Sequence, residues 1–327
     1  MRITVFTPTY NRAYTLTRLY DSLKNQTFHD FEWVIVDDGS TDDTTMVVNR
    51  FVDEKPFFPI VYERTENGGK HRAINRGIKH VSGELMLLMD SDDWLREDAL
   101  ELIDNVEKTI PEQEKDSFAG VQGLCAHTDG EIIGKTFEGE VLDTTTIERS
   151  KHNITGDKCE VYYTGVMRRY PFPEFEGERF LTEGLVWDKM AADGLKIRYF
   201  NEAIYFCEYL EDGLTHGGNM LYARNPKQWG LFIHRNYEYG KEDLFHVMLK
   251  IYTYYLFEKS LGMGISEMAE NLHFSVPFVY TSIAVQYISD LLRWVLHNKV
   301  TVRASVEKEK ADAAAQAHSP HGGVFLR

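Results

Sequence analysis

The sequence is poor in cysteine and in positive charge, and both shortages narrow what the protein can be. Its three cysteines, Cys125, Cys159 and Cys207, are odd in number and widely spaced in 327 residues. That pattern fits neither a disulfide framework nor a zinc cluster, so we interpret them as buried apolar residues in a reducing compartment. The net charge of −15 makes the surface repel nucleic-acid phosphates, so no nucleic-acid partner is expected.

Long apolar runs are also lacking. The N-terminus shows no apolar stretch before Pro8 and no cleavage-site pattern, which predicts a cytoplasmic protein without a signal peptide. The most apolar later segment, residues 276–296, carries Pro277, Asp290 and Arg293, which a membrane-spanning helix rarely contains. We predict a packed helix there, with a peripheral position on a membrane surface as the alternative.

The first hundred residues contain an alternation of strand and helix patterns. Short β-branched or apolar runs predict four strands, at 3–6, 32–36, 59–63 and 85–89. Helical patterns lie between them, at 16–23, 41–51 and 73–80. This alternation predicts an α/β fold with a mixed, mainly parallel sheet and helices on both faces.

The remainder of the chain has a different pattern. Shorter strand-like pieces and one helix, over 183–192, predict that the sheet is completed by 120–125, 159–164, 197–200 and 203–208. From about residue 228 the pattern is helical with a partly apolar stripe. We therefore predict a first domain over 1–216, a C-terminal helical appendage over 217–307 and a low-complexity tail over 308–327.

A polar loop follows each of the first four predicted strands. In open sheets of parallel strands, ligands bind beyond the carboxyl ends of the strands, where the loops leave the sheet. Four polar loops at one edge therefore predict a ligand site built from residues 7–11, 37–40, 67–70 and 90–93.

The fourth loop, Asp90-Ser91-Asp92-Asp93, concentrates carboxylates at the end of an apolar strand. Oxygen ligands favour Mg²⁺ or Mn²⁺, which proteins commonly hold with one or two carboxylates together with phosphate oxygens of a substrate. The alternative is an acidic helix cap, with Asp93 capping a helix that runs to Ile103. Both interpretations can hold at different aspartates.

The second loop offers a nucleotide contact. Asp38 can accept a hydrogen bond from the imide nitrogen of a uracil-type base, with Thr7, Pro8 and Tyr10 on the other side of the pocket. The alternative is an ordinary turn, since Asp-Gly-Ser is common turn chemistry.

The third loop, Asn67 to Arg72, joins two glycines to Lys70 and His71 just before a helix. A permissive backbone with cations suits a phosphate or a sugar that approaches closely. A flexible surface turn with solvated charge is the alternative.

These loops carry a family resemblance. The phrases TPTYNR, VIVDDGSTDDT, NGGKHRAINRGI and GELMLLMDSDDWL stand in order and at normal spacing between about Ile3 and Leu102. Together they resemble the family 2 glycosyltransferases of the GT-A fold. The resemblance implies an inverting transferase with a nucleotide-diphosphate-sugar donor, most often a UDP-sugar, and a divalent metal, Mn²⁺ or Mg²⁺. Residues 1–105 would then form the nucleotide-sugar-binding half of the first domain and 106–216 the acceptor half.

The resemblance also implies roles for individual residues. Nucleotide contacts fall to Pro8, Tyr10 and Asp38, and metal or diphosphate contacts to Asp90 and Asp92. Lys70 lies where the family's loop passes near the donor. The same phrases and loops complete the predicted set of donor-binding residues with Thr7, Arg12, Gly39, Asn75 and Ser91.

Beyond Leu102 the resemblance weakens. The family shows an acidic pair before an apolar helix, and here Gly184 replaces its second member, so Glu183 is the predicted catalytic base and Asp188 its rival. A positioned base contributes typically about 10²- to 10⁴-fold to a rate. For Glu183, stabilisation of the helix terminus is the alternative role. His216, in a segment resembling the closing loop of some members, is a candidate for a further metal contact.

The predicted enzyme therefore moves a sugar to a hydroxyl of a glycan, a lipid-linked or a protein acceptor. Two other functions stay open: a nucleotidyltransferase and a non-catalytic nucleotide-binding module. Gly184 is the only sequence feature that favours the binding module. A homo-oligomer formed through the C-terminal helices is a further open prediction.

Overall fold

The computed structural model describes residues 1–208, 218–297 and 307–311, without the side chains of 219 and 291–297. Two units are separated along the chain, residues 1–210 and 211–327. The predicted boundary at residue 216 falls outside the described residues, and most of the predicted tail does too, so both stay predictions.

Among the described residues, nine strands of the first unit form one mixed sheet in the order β3-β2-β1-β4-β8-β6-β9-β5, with β7 paired to β9. Their bounds are β1 Ile3–Thr9, β2 Phe31–Asp37, β3 Ile60–Arg64, β4 Leu85–Leu88, β5 Trp94–Leu95, β6 Phe118–His127, β7 Val141–Thr144, β8 Lys158–Tyr163 and β9 Lys196–Cys207. The pairs β1–β2, β1–β4 and β2–β3 are parallel, whereas β8 joins β4 and β6 antiparallel. The predicted fold class is confirmed.

Helices cover both faces of this sheet. Those of the first unit are α1 Leu16–Lys24, α2 Thr44–Asp53, α3 Lys70–Gly77, α4 Ala99–Lys108, α5 Thr164–Arg169 and α6 Gly184–Ala192. The first, second and fourth bury their apolar residues in a core with alternate residues of β1, β2, β4, β6 and β8. That core contains all three cysteines, which confirms that they are buried and apolar in role.

The opposite face carries α3 and α6. At Gly77 of α3 a Cβ atom would lie 2.2 Å from the ring of Phe6 and 2.6 Å from Val36. Neither Phe6 nor Val36 belongs to the first core, so α3 packs on the other side of β1 and β2. Trp187 of α6 stacks on Tyr162 of β8 with ring centroids 4.2 Å apart. The two helices therefore share one face above the carboxyl ends of β1 and β4.

The second unit is helical where it is described. Its helices are α7 Gly218–Ala223, α8 Pro226–Glu238, α9 Leu244–Ser260, α10 Ile265–Asn271 and α11 Val276–His297. They enclose a separate core that includes Trp229, Ile251 and Phe257. The predicted helix at 276–296 is present, and none of the described helices combines the length and apolar character needed to cross a membrane.

The structure differs from the sequence prediction at several elements: β1 runs on to Thr9, α3 begins at Lys70 and not at residue 73, and β7 was not predicted. The strands predicted at 197–200 and 203–208 form one strand, β9, whose pairing with β6 shifts register around Leu124. The helix predicted to start at Asp93 begins at Ala99 instead, with Asp98 at its N-cap. Asp93 is therefore not a helix cap, because Trp94 and Leu95 pair with β9 as a short strand.

The close packing of α3 against β1 and β2 can be tested at Gly77. Gly77→Ala should lower the free energy of unfolding by about 1–3 kcal/mol, because the added methyl overpacks the contact with Phe6. Gly165→Ala on α5 is the matched control: outside its chain neighbours and its own helix backbone, no atom of the described residues lies within 4 Å of its Cβ position. That change should be neutral or should stabilise by up to about 1 kcal/mol through helix propensity. Urea unfolding of both variants measures the difference, and equal effects would contradict the packing.

Candidate active site at the carboxyl edge of the sheet

The loop after β3 is held by a buried carboxylate from the loop after β2. Asp38 accepts hydrogen bonds from the backbone N–H groups of Gly68 and Gly69, both at 2.7 Å, and from the amide of Asn67 at 3.1 Å. Burial raises the pKa of Asp38, although these donors act in the opposite direction. Asp38 therefore orders the glycine loop, and its predicted contact with a base stays a prediction.

Gly69 is the residue that lets this loop start a helix. Its φ is +99°, and a Cβ atom there would lie 1.9 Å from the carbonyl oxygen of Arg179. A side chain is excluded on both counts. Arg72 strengthens the same contact by donating to the carbonyl oxygens of Phe175 and Glu178. The glycine loop is thus fastened to the segment that leads to α6.

Lys70, the first residue of α3, joins the two sides of the site. Its ammonium lies 2.7 Å from Asp90 Oδ1 and 2.9 Å from Glu183 Oε1. Burial alone would lower the pKa of Lys70, but the charges of Asp90 and Glu183 outweigh it and hold that pKa well above its usual value. Lys70, Asp90 and Glu183 are called the lysine bridge below.

The acidic loop after β4 concentrates negative charge. Asp92 Oδ2 lies 3.7 Å from Arg12 Nε. Burial, followed by the charge of Asp90, raises the pKa of Asp92. Burial, then Asp90 and Asp92, raises the pKa of Asp93 to about 8. The loop therefore holds more carboxylate than its neighbouring cations neutralise, and added positive charge would stabilise it.

Side chains from other elements fix the position of the acidic loop. The backbone N–H of Asp90 donates to the hydroxyl of Tyr205 on β9 at 3.0 Å. Arg18 of α1 donates to the carbonyl oxygen of Asp92 and lies 4.0 Å above the ring of Trp94. Asp93 accepts a hydrogen bond from the backbone of Glu208 at 3.3 Å. With the loop held by these contacts, the Asp90 carboxylate points towards the Lys70 ammonium.

Glu183 and Asp188 occupy different environments. Glu183 stands at the N-cap of α6 but makes no side-chain capping hydrogen bond, and its carboxylate pairs with Lys70 instead. Asp188 is buried in α6, 5% exposed, with the hydroxyl of Thr146 at 3.5 Å. Of the two predicted bases, Glu183 is the one that the fold brings to the acidic loop.

The other predicted donor-binding residues divide into two groups. Tyr10 is 44% exposed beside β1, and Gly39 has a φ of +81° with its backbone against Asn67. Thr7 is fully buried and its hydroxyl accepts from Trp33, while Asn75 uses both amide hydrogens on Phe172 and Glu174. Pro8 lies within β1, which runs on to Thr9, whereas Arg12 and Ser91 lie in loops; all these roles stay predictions. His216 is outside the described residues.

The sequence analysis missed one carboxylate at this site. Glu160 lies on β8, and its electrostatic partners include Glu183, Lys70 and Asp90. Burial, followed by the charge of Glu183, raises its pKa to about 8. The signal in the sequence was a single acidic residue inside the apolar run from Cys159 to Tyr163.

The donor set suits a divalent cation that shares its coordination with a substrate. No three His, Cys, Asp or Glu side chains of the described residues converge closely enough to hold an ion by themselves. Asp90 and Asp92 nevertheless supply two carboxylates in a loop with excess negative charge. Such a pair is sufficient for Mg²⁺ or Mn²⁺ when phosphate oxygens and water complete the shell.

Comparison with known proteins gives a family match for the first half of the chain. The model of the family described as glycosyl transferase family 2 matches residues 4–162. This segment, just under half of the chain, is therefore similar to glycosyl transferase family 2. The matched segment contains β1 to β8, the glycine loop and the acidic loop, whereas Glu183 lies beyond it.

Curated relatives extend the likeness towards the C-terminus. The glycosyltransferase GlyA of Streptococcus pneumoniae is 28% identical over 236 residues, which are 70% of this chain and 31% of GlyA. The GalNAc(5)-diNAcBac-PP-undecaprenol beta-1,3-glucosyltransferase of Campylobacter jejuni is 27% identical over 67% of this chain and 68% of its own. The chain thus spans less than a third of GlyA but about two thirds of the second relative.

Solved structures support the fold. Staphylococcus aureus TarS 1–349 in complex with UDP-GlcNAc superposes with a TM-score of 0.56 at 18% identity, covering 88% of this chain and 92% of that one. The mannosyltransferase PcManGT of Pyrobaculum calidifontis, in complex with GDP-Man and Mn²⁺, superposes with a TM-score of 0.51 at 18% identity. The superposition covers 96% of this chain and 80% of PcManGT. At these identities the likeness concerns the fold alone, which is the GT-A fold.

Removal of the Asp38 carboxylate should loosen the glycine loop. Asp38→Ala leaves two backbone N–H groups without their acceptor, and we expect a loss of about 2–3 kcal/mol in the free energy of unfolding. Asp116→Ala, at an exposed aspartate, is the control and should change it by less than about 0.5 kcal/mol. Chemical denaturation measures both, and an unchanged Asp38 variant would show that the loop does not depend on this carboxylate.

His71 should make stability depend on pH. Burial, then the charge of Arg72, lowers the pKa of His71 to about 4 from 6.5. Between these values the unfolded chain binds the proton and the folded chain does not, so the contribution of His71 to stability is lost as the pH falls from about 6.5 to about 4.

His71→Leu should therefore flatten the decline of the melting temperature between pH 7 and pH 4.5. The exposed His152 serves as the control, and His152→Gln should keep the wild-type slope. Melting curves across this range test the expectation, and identical slopes in the wild type and the His71 variant would contradict it.

Proposed function

We propose that this chain is an inverting glycosyltransferase, which moves a sugar from a nucleotide-diphosphate donor to an acceptor hydroxyl. The observation that carries the proposal is the lysine bridge. The Lys70 ammonium pairs with Asp90 of the acidic loop, which is suited to bind a metal and a diphosphate. The same ammonium pairs with Glu183, whose carboxylate is suited to act as a base. An inverting transfer needs these two functions on opposite sides of the reacting carbon.

The donor end of the site is assigned to Asp90 and Asp92. These two residues would hold Mn²⁺ or Mg²⁺ with the diphosphate of the donor, and the bound ion would stabilise the negative charge of the leaving group. Arg12 and Lys70 add positive charge beside the same carboxylates. The excess acidity of the loop, reflected in the raised pKa of Asp93, supports this assignment.

The acceptor end is assigned to Glu183. In the transfer, the acceptor oxygen forms a bond to the anomeric carbon while the bond from that carbon to the phosphate oxygen breaks. The electron pair leaves with the diphosphate, and the acceptor proton goes to the Glu183 carboxylate. Lys70 holds this carboxylate in position, whereas Asp188 is buried and turned to Thr146. Glu183 is therefore preferred to Asp188 as the base.

A UDP-sugar is the proposed donor. Support comes from the fold shared with TarS, which was solved with UDP-GlcNAc. The acceptor is proposed to be a hydroxyl of a glycan, a lipid-linked or a protein substrate. The name of the Campylobacter jejuni relative, which specifies an undecaprenol-linked glycan, favours the lipid-linked class.

Two variants separate the proposed roles. Asp92→Ala should abolish metal-dependent binding of the donor. Glu183→Gln should bind the donor within about twofold of the wild type and lose about 10²- to 10⁴-fold in transfer. The exposed Glu176 lies just before α6, so Glu176→Gln is the matched control and should keep full activity.

The measurement is release of nucleoside diphosphate from a panel of nucleotide sugars with Mn²⁺, alongside calorimetric binding of the same donors. Equal loss of donor binding in both variants would refute the division of roles. Release of pyrophosphate from a nucleoside triphosphate and a sugar phosphate would instead show nucleotidyl transfer. If the wild type binds no nucleotide, the glycosyltransferase and the nucleotidyltransferase proposals are both wrong.

A further inference from the structure

Glu160 is an acidic residue in an otherwise apolar strand, and the sheet determines which way it points. Its neighbours Cys159 and Val161 are fully buried in the core beneath α1, α2 and α4. Side chains alternate along a strand, so Glu160 and Tyr162 lie on the opposite face. Tyr162 stacks on Trp187 of α6 there. Glu160 therefore lies on the face that carries α3, α6 and the lysine bridge.

The register of the sheet places Glu160 close to the acidic loop. The last pair between β4 and β8 joins Leu87 to Val161, so Glu160 comes next along the strand, beside Leu88 and two residues before Asp90. Among its electrostatic partners, Glu183 ranks first and Asp90 is also present. Glu160 thus interacts with both ends of the proposed site, the donor end at Asp90 and the acceptor end at Glu183.

The Glu160 carboxyl makes no hydrogen bond or ion pair with any of the described residues. Other carboxylates of the first unit differ in this respect: Glu107, for example, is fully buried and bonds to Arg2, Lys115 and Tyr163. A partly buried polar group without a partner is costly unless a ligand or water supplies one. Within the described part of the chain, the Glu160 carboxyl therefore has no protein partner and is open to one from solvent or from a ligand.

A second unsatisfied group stands next to Glu160. Gln122 of β6 is its direct cross-strand partner and is 1% exposed. The Gln122 amide nitrogen donates to the Tyr162 hydroxyl at 3.0 Å, but its Oε1 atom is buried without a partner among the described residues. Because paired residues share a face, the free oxygen lies on the same face of the sheet as the Glu160 carboxyl.

We propose that Glu160 forms the floor of the subsite for the transferred sugar, where its carboxyl exchanges hydrogen bonds with a ring hydroxyl or an N-acyl group and selects among sugars. The inference rests on the proposed function. With the diphosphate at Asp90 and Asp92 and the base at Glu183, the transferred sugar must span the distance between them. The sheet register and the electrostatic coupling to Glu183 and Asp90 place Glu160 beside both ends, and in this assignment it contacts neither the nucleotide nor the acceptor.

The chemistry of the carboxyl suits a polyhydroxylated ring. Burial raises the pKa of Glu160 to about 8, and a carboxyl in its protonated form donates through one oxygen and accepts through the other. A sugar hydroxyl has the same dual capacity. A site built to pair with a hydroxyl discriminates strongly against a sugar that lacks it, because the buried group is then left unpaired.

The experiment compares affinities for UDP with those for UDP-glucose, UDP-galactose and UDP-N-acetylglucosamine, measured by calorimetry with Mn²⁺. Glu160→Ala should weaken binding of the preferred UDP-sugar about tenfold and leave binding of UDP unchanged within about twofold. Glu160→Gln, which keeps a donor and an acceptor, should restore most of the affinity. Glu112→Ala, at a glutamate whose side chain is 87% exposed, should match the wild type.

The outcomes distinguish the subsite from the function itself. Equal weakening of UDP and UDP-sugars in the Glu160→Ala protein would assign Glu160 a structural role and overturn the inference. Unchanged affinities in that variant would also overturn it, with the proposed function intact. If the wild type binds none of the four nucleotides, the proposed function fails together with the subsite. If the alanine variant does not fold, Glu160→Met, which keeps the length of the side chain without its carboxyl, replaces it in this comparison.

Discussion

The contact between the Asp38 carboxylate and the glycine loop is the constraint on which the rest of the site depends. Asp38 accepts the N–H groups of Gly68 and Gly69, and Gly69 turns the chain so that α3 begins at Lys70. The ammonium of Lys70 then reaches Asp90 and Glu183 together. A buried carboxylate thus acts at a distance, because it sets the starting point of the helix that carries the bridging cation.

Much of the first half of this arrangement was predictable from the sequence. The first four strands are short apolar runs bounded by turn residues, and parallel strands bring their carboxyl ends to one edge whatever the details of packing. The loops containing Asp38, Lys70 and Asp90 therefore had to meet. Glu183 came from the resemblance to the family, and its position beside Lys70 agrees with that prediction without testing its role.

The second half was harder because its elements depend on partners far along the chain. Trp94 and Leu95 form a strand by pairing with β9, which displaced the predicted helix start from Asp93 to Ala99. Asp93 instead bonds to the backbone of Glu208, a partner that local capping rules do not consider. Glu160 was overlooked for a similar reason, since only the register of β8 against β4 shows which site it faces.

The contact of Gly69 with the carbonyl of Arg179 has a consequence for how proteins with this fold can vary. Arg72 and Asn75 add further bonds from α3 to residues 172–179, more than ninety positions later in the chain. The segments 69–75 and 172–179 are therefore linked, so the two halves predicted for the first unit are not independent of each other. A chimera that combines segments of two relatives would have to take residues 172–179 and the glycine loop from the same parent. Natural variation in acceptor choice is expected to concentrate outside these two segments.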